Sequence, residues 1–394
     1  MRRRLIFALA ALGVLAAVWA GLTLAQANGL RRRPASAGPP KLIFYAEREP
    51  ELLRPFFRPE VLDQLAANGW GLSVAIFEFD RATADLLAPA FARKIPVYAW
   101  LTLPRAEGYW LSTDNWPLAP GLYDRFRRWA RERNLPFAGV QLDLETPYAD
   151  SRRLAQAVSE GRGSTLRWYF HRARQPRAFA AGEAAYRGLL DRIRADGYET
   201  VTVTYPMALD DSRVGGAGLA TLLRIPRLRA DHRVFMVYRT AFAGGGRGLG
   251  AAPVASYGRD LNGGELAVGN LLEKSYGPAE LRADLQVGAR YSRTIWVYSL
   301  EAAAARGLLG ELRALDYQGW PGISFGEAWR ITVLRQGLLA ASVFAHPGAR
   351  WIAGLVLLAL AGWVVLGPPR RAGATGAGAS RGIPRPQLRL AAPE

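Results

Sequence analysis

The residues best placed to do chemistry lie in one short run, Ala138-Gly139-Val140-Gln141-Leu142-Asp143-Leu144-Glu145. Side chains alternate along a β-strand. Val140, Leu142 and Leu144 therefore share one face, and Gln141, Asp143 and Glu145 share the other. Three polar groups in a row are unfavourable on a buried face unless each finds a partner, so their presence inside a strand points to a site. Glu145 comes last, at the C-terminal rim. Asp143 sits one layer deeper, where it can hold, polarise or share a proton with Glu145. Two close carboxyls raise the pKa of one of them, which suits a general acid. The purely structural alternative is a strand-end carboxylate that caps a helix or anchors a loop.

Other residues could complete such a site. Ile295-Trp296-Val297-Tyr298-Ser299-Leu300-Glu301 ends a second β-like run on a carboxylate. Two carboxyls ~5–5.5 Å apart suit double displacement at a glycosidic carbon, and ~6.5–9.5 Å suits inversion. Glu145 and Glu301 are one candidate pair, although Glu301 can equally open the next helix, where the dipole favours it. Glu47, Glu78 and Asp80 close the first two β-like runs, and Tyr205 closes the fifth. Trp100 lies in the third run, and Trp110 and Trp116 lie in the loop after it. Their indole faces can stack on sugar rings or fill the core.

The elements that must position these residues alternate. Short runs rich in Val, Ile, Leu and aromatics are Leu42–Glu47, Leu72–Phe79, Pro96–Leu103, Ala138–Glu145, Val201–Pro206, Arg233–Thr240, Thr294–Glu301 and, least clearly, Gly322–Phe325. Amphipathic helical patterns separate them, among them Glu60–Asn68, Thr83–Arg93, Tyr123–Arg133, Glu183–Asp196 and Pro278–Arg290. Near-continuous apolar strands with intervening helices point to an α/β fold, a closed (β/α)8 TIM barrel. An open doubly wound sheet is the alternative. Two long connections, from Thr146 to about Gly182 and from Ala241 to about Gly277, follow strand ends, where barrels carry their working loops. The first contains Trp168-Tyr169-Phe170.

The fourth run resembles the strand-four motif of the chitinase-type glycoside hydrolases, Asp-Gly-x-Asp-x-Asp-x-Glu. The resemblance implies that Glu145 protonates the glycosidic oxygen. It also implies that Asp143 orients a substrate acetamido group, whose carbonyl attacks the anomeric carbon. Ala138 and Gln141 replace the first two aspartates of the motif. Met236-Val237-Tyr238-Arg239 is similar to the same family's Met-x-Tyr-Asp, whose Tyr contacts the acetamido group. Tyr238 fits, and Arg239 stands where that Asp would be. The retaining glycosidases of the largest barrel clan place an acid/base at the end of strand four and a nucleophile at the end of strand seven. By the count above these are Glu145 and Glu301, with Leu144 in place of that clan's Asn.

Composition narrows the rest. The 394-residue chain carries 51 Lys and Arg against 33 Asp and Glu, a formal net charge of +18. Only Lys41, Lys94 and Lys274 are lysines, and residues 1–40 and 336–394 each carry six arginines with Glu394 as their single acid. This pattern reflects the ends and an Arg-rich composition, so no nucleic-acid partner is expected. With no cysteine and 3 scattered histidines, thiol chemistry is excluded, and neither a metal centre nor a cofactor is expected. No Gly-x-Ser-x-Gly or His-Glu-x-x-His occurs to suggest a peptidase or other hydrolase.

Two apolar runs predict a bilayer partner. Leu5 to Leu24 follows the basic start Met1–Arg4 and is long enough to span ~30 Å of hydrocarbon. It reads as a signal anchor, or as a signal peptide cleaved after Ala25-Gln26-Ala27. Trp351 to Leu366 reads as a transmembrane helix followed by an arginine-bearing cytoplasmic tail. The expected organisation is a signal peptide or anchor (1–27), a linker (28–40), a glycosidase-like barrel (41–335), a juxtamembrane segment (336–350), a transmembrane helix (351–367) and a disordered tail (368–394). The barrel is then extracytoplasmic and membrane-tethered, acting on an envelope or extracellular polysaccharide. A barrel that only binds glycan or helps assemble envelope polymer is the competing expectation.

Overall fold

Eight parallel strands close into a barrel in chain order, each paired with its sequence neighbours, and the last returns to the first. They are β1 (Lys41–Ala46), β2 (Gly71–Ile76), β3 (Val97–Leu101), β4 (Gly139–Leu144), β5 (Glu199–Thr204), β6 (His232–Met236), β7 (Glu265–Val268) and β8 (Thr294–Tyr298). The closed ring rules out the open sheet. The computed structural model describes residues 17–35, 38–159, 176–242, 248–271 and 275–345. Trp168-Tyr169-Phe170, the apolar run from Trp351 to Leu366 and the C-terminal tail lie outside the described residues.

One strand differs from expectation. The seventh is Glu265–Val268, four residues inside the stretch read as a long connection. Gly322–Phe325 is not a strand; its last residue opens the helix Phe325–Ala345. The run ending near Glu301 is therefore β8, and Glu301 falls in the first turn of the helix Leu300–Ala305. The strand-seven position assumed for Glu301 is corrected accordingly.

The alternation along each strand sorts the core into two shells. Leu42, Phe44, Leu72, Val74, Val140, Leu142 and Leu144 point outward and pack under the helices. Ile43, Tyr45, Ala75, Tyr98, Trp100, Val201, Val203 and Trp296 fill the barrel. The helix Ala119–Glu132 shows how the outer layer forms. Leu122, Tyr123, Phe126, Trp129 and Ala130 are buried at helical spacing, while its arginines lie on the other face. Gly139 lets β4 enter the ring tightly, because a Cβ there would stand 2.5 Å from the Glu199 carbonyl and 2.8 Å from the Tyr98 ring.

The base of the barrel is closed by a polar cluster. His232 Nδ1 meets Glu265 at 3.0 Å and its Nε2 meets Glu199 at 3.3 Å. Trp296 Nε1 donates to Glu265 at 2.6 Å and the Tyr98 hydroxyl to Glu199 at 2.9 Å. The bond to Glu265 raises the His232 pKa above its ordinary value, and the two carboxylates add to the effect. Folding therefore gains fully from this cluster below about pH 6.5, the unfolded value, and loses it as pH rises through the folded value. Urea unfolding at pH 6 and pH 9 is expected to show a loss of stability with pH that is smaller in His232→Ala. Equal pH slopes in the two proteins would contradict this role.

Residues 17–30 form a helix laid against the barrel. Ala27 and Leu30 are buried in the outer core, and the Thr23 hydroxyl donates to Gln336 at 2.8 Å. Ala25-Gln26-Ala27 lies inside this helix. Val18, Trp19, Leu22 and Leu24 are exposed. No helix among the described residues is long and apolar enough to cross a membrane. The helix Phe325–Ala345 runs across position 335. It is held there by Arg335, whose guanidinium donates to Asp210 at 2.9 and 2.7 Å.

Candidate active site

β4 carries its polar row into the barrel. The inward face receives Gln141, Asp143 and Glu145, all buried, and the outward face receives Val140, Leu142 and Leu144. The loop after β3 folds back alongside β4 and fixes its rim. Leu111 N–H donates to the Asp143 carbonyl at 2.9 Å, and Glu145 N–H donates to the Leu111 carbonyl at 3.0 Å. That loop is pinned in turn by Asn115, whose side chain accepts from Ser112 N–H at 2.8 Å and donates to the Trp110 carbonyl at 2.8 Å.

A cavity of about 150 Å³ opens over this row. It is lined by Gln141, Asp143 and Glu145 from β4, by Tyr45 and Glu47 from the end of β1, and by Trp100 and Trp110. Val203, Met236, Tyr238 and Tyr298 complete the wall. Seven of the sequence candidates thus meet in one hollow: Glu145, Asp143, Gln141, Glu47, Trp100, Trp110 and Tyr238. The remaining candidates occupy other places.

Electrostatics separates the carboxyls. Burial pushes the Glu145 carboxyl up to about 7, and Glu47 adds to the rise. The Tyr205 hydroxyl, donating to Glu145, opposes the rise, as does the bond to Asp143. Asp143 is held well above its ordinary value, first by burial and then by the negative charges of Glu145 and Glu47. The two titrate as a pair that retains a proton near neutrality. Glu47 is also raised by burial, while the Tyr109 and Tyr298 hydroxyls stabilise its ionised form, each donating at 2.5 Å to a different oxygen.

Several polar atoms on this wall have no protein partner. They are Tyr45 Oη, Trp100 Nε1, Gln141 Nε2 and Asp143 Oδ1. The other end of Gln141 is fixed, because Ser73 Oγ donates to its Oε1 at 2.8 Å. Buried polar atoms are rarely left unpaired without a reason. Four of them converging on one hollow can be answered by a polar ligand or by water.

The other candidates have structural surroundings. Glu301 does not line the cavity. Its Oε1 accepts from Glu47 N–H at 2.9 Å, so it anchors the backbone that presents Glu47. Arg239 points away, into an ion pair with buried Asp284, and donates to the Glu280 carbonyl at 3.1 Å. The Arg239 guanidinium also lies 5.6 Å from the Tyr276 ring centre. Trp116 packs against the outer core. Glu78 is exposed, and Asp80 caps the helix Arg81–Ala92 by accepting from Thr83 N–H at 2.8 Å. Tyr205 stands behind Glu145 as its hydrogen-bond donor.

Sequence reasoning missed Tyr45, Tyr298 and Tyr109. Strand parity could have found the first two: Tyr45 lies two residues before Glu47, and Tyr298 two after Trp296, each on the inward face. Tyr109 sits in a loop at positive φ, and no pattern marks it.

No family model and no curated protein matches the sequence. Solved structures share a remote likeness. Gas2p of Saccharomyces cerevisiae in complex with laminaritriose and laminaritetraose aligns with 75% of this chain and 68% of its own, at 12% identity and a TM-score of 0.42. A D-psicose 3-epimerase in the presence of D-fructose aligns with 77% of this chain and 99% of its own, at 10% identity and a TM-score of 0.36. Likenesses this distant carry no weight for function, which rests on the site.

Proposed function

We propose that the barrel is a glycoside hydrolase with Glu145 as its general acid. The observation that carries this reading is the buried Glu145–Asp143 pair at the mouth of the barrel, facing a cavity walled by indole and phenol rings. A general acid works best when its pKa lies near the working pH, and Glu145 meets that condition at about 7. Glu145 donates its proton to the glycosidic oxygen as the C1–O bond breaks. Water supplies hydroxide to C1, and its remaining proton returns to the carboxylate. Glu47, whose ionised form the Tyr109 and Tyr298 hydroxyls favour, supplies negative charge to the oxocarbenium-like centre. Tyr238 and Asp143 both line the cavity, and the chitinase-type resemblance would give them the role of holding a 2-substituent.

The proposed setting is extracytoplasmic, on an envelope or extracellular polysaccharide, with the chain tethered through its apolar runs. A C-terminal reporter fusion tests this topology; activity of a periplasmic-type reporter there, where a cytoplasmic tail is expected, would contradict it. The enzymatic reading is tested by incubating the purified chain with a broad glycan panel. Release of reducing ends by the parent and not by Glu145→Gln is expected. Binding of glycan without turnover would favour the second reading, a glycan-binding barrel, for which the replacement of two motif aspartates by Ala138 and Gln141 speaks.

The pH dependence follows from the acid role. The protonated form of Glu145 is required, so kcat is expected to fall as pH rises through about 7. A rate that stays flat from about pH 6 to 8.5 would remove Glu145 as the acid.

A further inference from the structure

The cavity is acidic in a basic protein. Three of its lining residues are carboxylic acids, Glu47, Asp143 and Glu145, and none is Arg, Lys or His. Elsewhere two buried acids take an arginine partner, while Asp211 and Glu301 accept from backbone N–H groups. Asp210 is paired with Arg335, and Asp284 with Arg239. A buried charge without a counter-charge is strongly disfavoured, and this chain, with 51 basic residues, had many available. Around the cavity it places neutral donors instead. Both oxygens of Glu47 are met by tyrosine hydroxyls, and Glu145 is met by Tyr205. Arg105, in the loop after β3, lies over the Tyr109 and Tyr148 rings at 6.0 and 5.7 Å, and its charge favours the ionised form of Glu47 without lining the cavity.

We infer that the missing counter-charge is carried by the ligand: the sugar held in this cavity bears a free, protonated amine. The substrate class is then a polymer containing de-N-acetylated amino sugars. The inference rests on the glycoside-hydrolase reading of the same cavity and narrows it. An ammonium group among Glu47, Asp143 and Glu145 supplies a cation that no residue lining the cavity provides. The faces of Trp100, Trp110 and the cavity tyrosines favour a cation as well as a sugar ring. The unpartnered Gln141 Nε2, Trp100 Nε1 and Tyr45 Oη are left to bond ring hydroxyls. A uronic acid would bring a fourth carboxylate into the hollow and be rejected by like-charge repulsion. An N-acetylated sugar would leave the carboxyls without a cation.

Isothermal titration of the full chain carrying Glu145→Gln, which blocks turnover, separates these cases. The probes are glucosamine, N-acetylglucosamine and glucuronate oligomers of equal length. The amine oligomer is expected to bind at least about tenfold more tightly than the N-acetyl one, a difference of ~1.4 kcal/mol, and the uronate not at all. Adding Glu47→Gln is expected to weaken the amine oligomer about tenfold and the N-acetyl oligomer less than about twofold. If that double variant fails to fold, the order of affinities in the single variant still decides. Equal or tighter binding of the N-acetyl or uronate oligomer overturns the inference, as does equal binding of cadaverine, an amine without a sugar ring. Amine-selective binding with no turnover by the parent would sink the hydrolase reading alone. Turnover of N-acetyl oligomers without amine preference would sink this inference alone.

Discussion

Glu145→Gln is expected to lower kcat by about 10²–10⁴-fold, the range a positioned general acid contributes, while the chain remains folded and still binds oligosaccharide. The amide keeps the shape of the carboxyl and can accept from Tyr205, so the wall of the cavity survives. What it loses is a transferable proton. The variant also discriminates between roles. A merely structural Glu145 would show its loss in unfolding and not in turnover. A residue that only binds substrate would show it in KM with kcat preserved. The comparison is made on single-turnover rates with saturating oligosaccharide, and a kcat within about threefold of the parent would end the acid assignment.

The second large effect is on stability. Arg239→Met is expected to destabilise the fold by about 3–5 kcal/mol, because it strands a buried carboxylate. Asp284 has no exposed surface, and Arg239 Nε reaches it at 3.2 and 3.1 Å. The Tyr276 hydroxyl, donating at 2.7 Å, would be its remaining partner. Combining Arg239→Met with Asp284→Leu is expected to recover much of the loss, since replacing both members of a buried pair by apolar groups is often near neutral. Equilibrium denaturation of the parent and the two variants gives the answer. Unchanged stability in Arg239→Met would mean that the pair does not hold the turn after β6 to the helix Pro278–Gly288. The same variant also tests the substrate-binding expectation for Arg239: its oligosaccharide affinity, measured on folded protein, is expected to match the parent's.

The strand-four site was legible because two independent signals coincide there. A period-two pattern assigns the faces, and an inward face bearing Gln141, Asp143 and Glu145 is too polar for a barrel interior without a ligand or internal partners. Glu47 was legible only as a carboxylate that closes the first strand. Glu301 misled because β7 is only Glu-Leu-Ala-Val, bounded by Gly264 and Gly269. So short a run lacks a period long enough to read, and missing it shifted the strand count by one. Arg239 misled because its partner, Asp284, lies 45 residues away on a helix, and sequence spacing says nothing about that meeting. Tyr45 and Tyr298 were not among the candidates. They are both core and site, each ring packed inside the barrel with its hydroxyl near the mouth. Trp116 shows the reverse error: a loop position suggested a sugar platform, and packing claimed the ring.

The account depends on a sugar entering the barrel mouth next to position 145. The direct test is a crystal structure of the Glu145→Gln protein soaked with an oligosaccharide that the parent cleaves. The account predicts a pyranose ring in the cavity between the indoles and Glu47, with a glycosidic oxygen within ~3.2 Å of the side chain at position 145. Density for the sugar on another face of the protein, with the cavity holding only water, would contradict it.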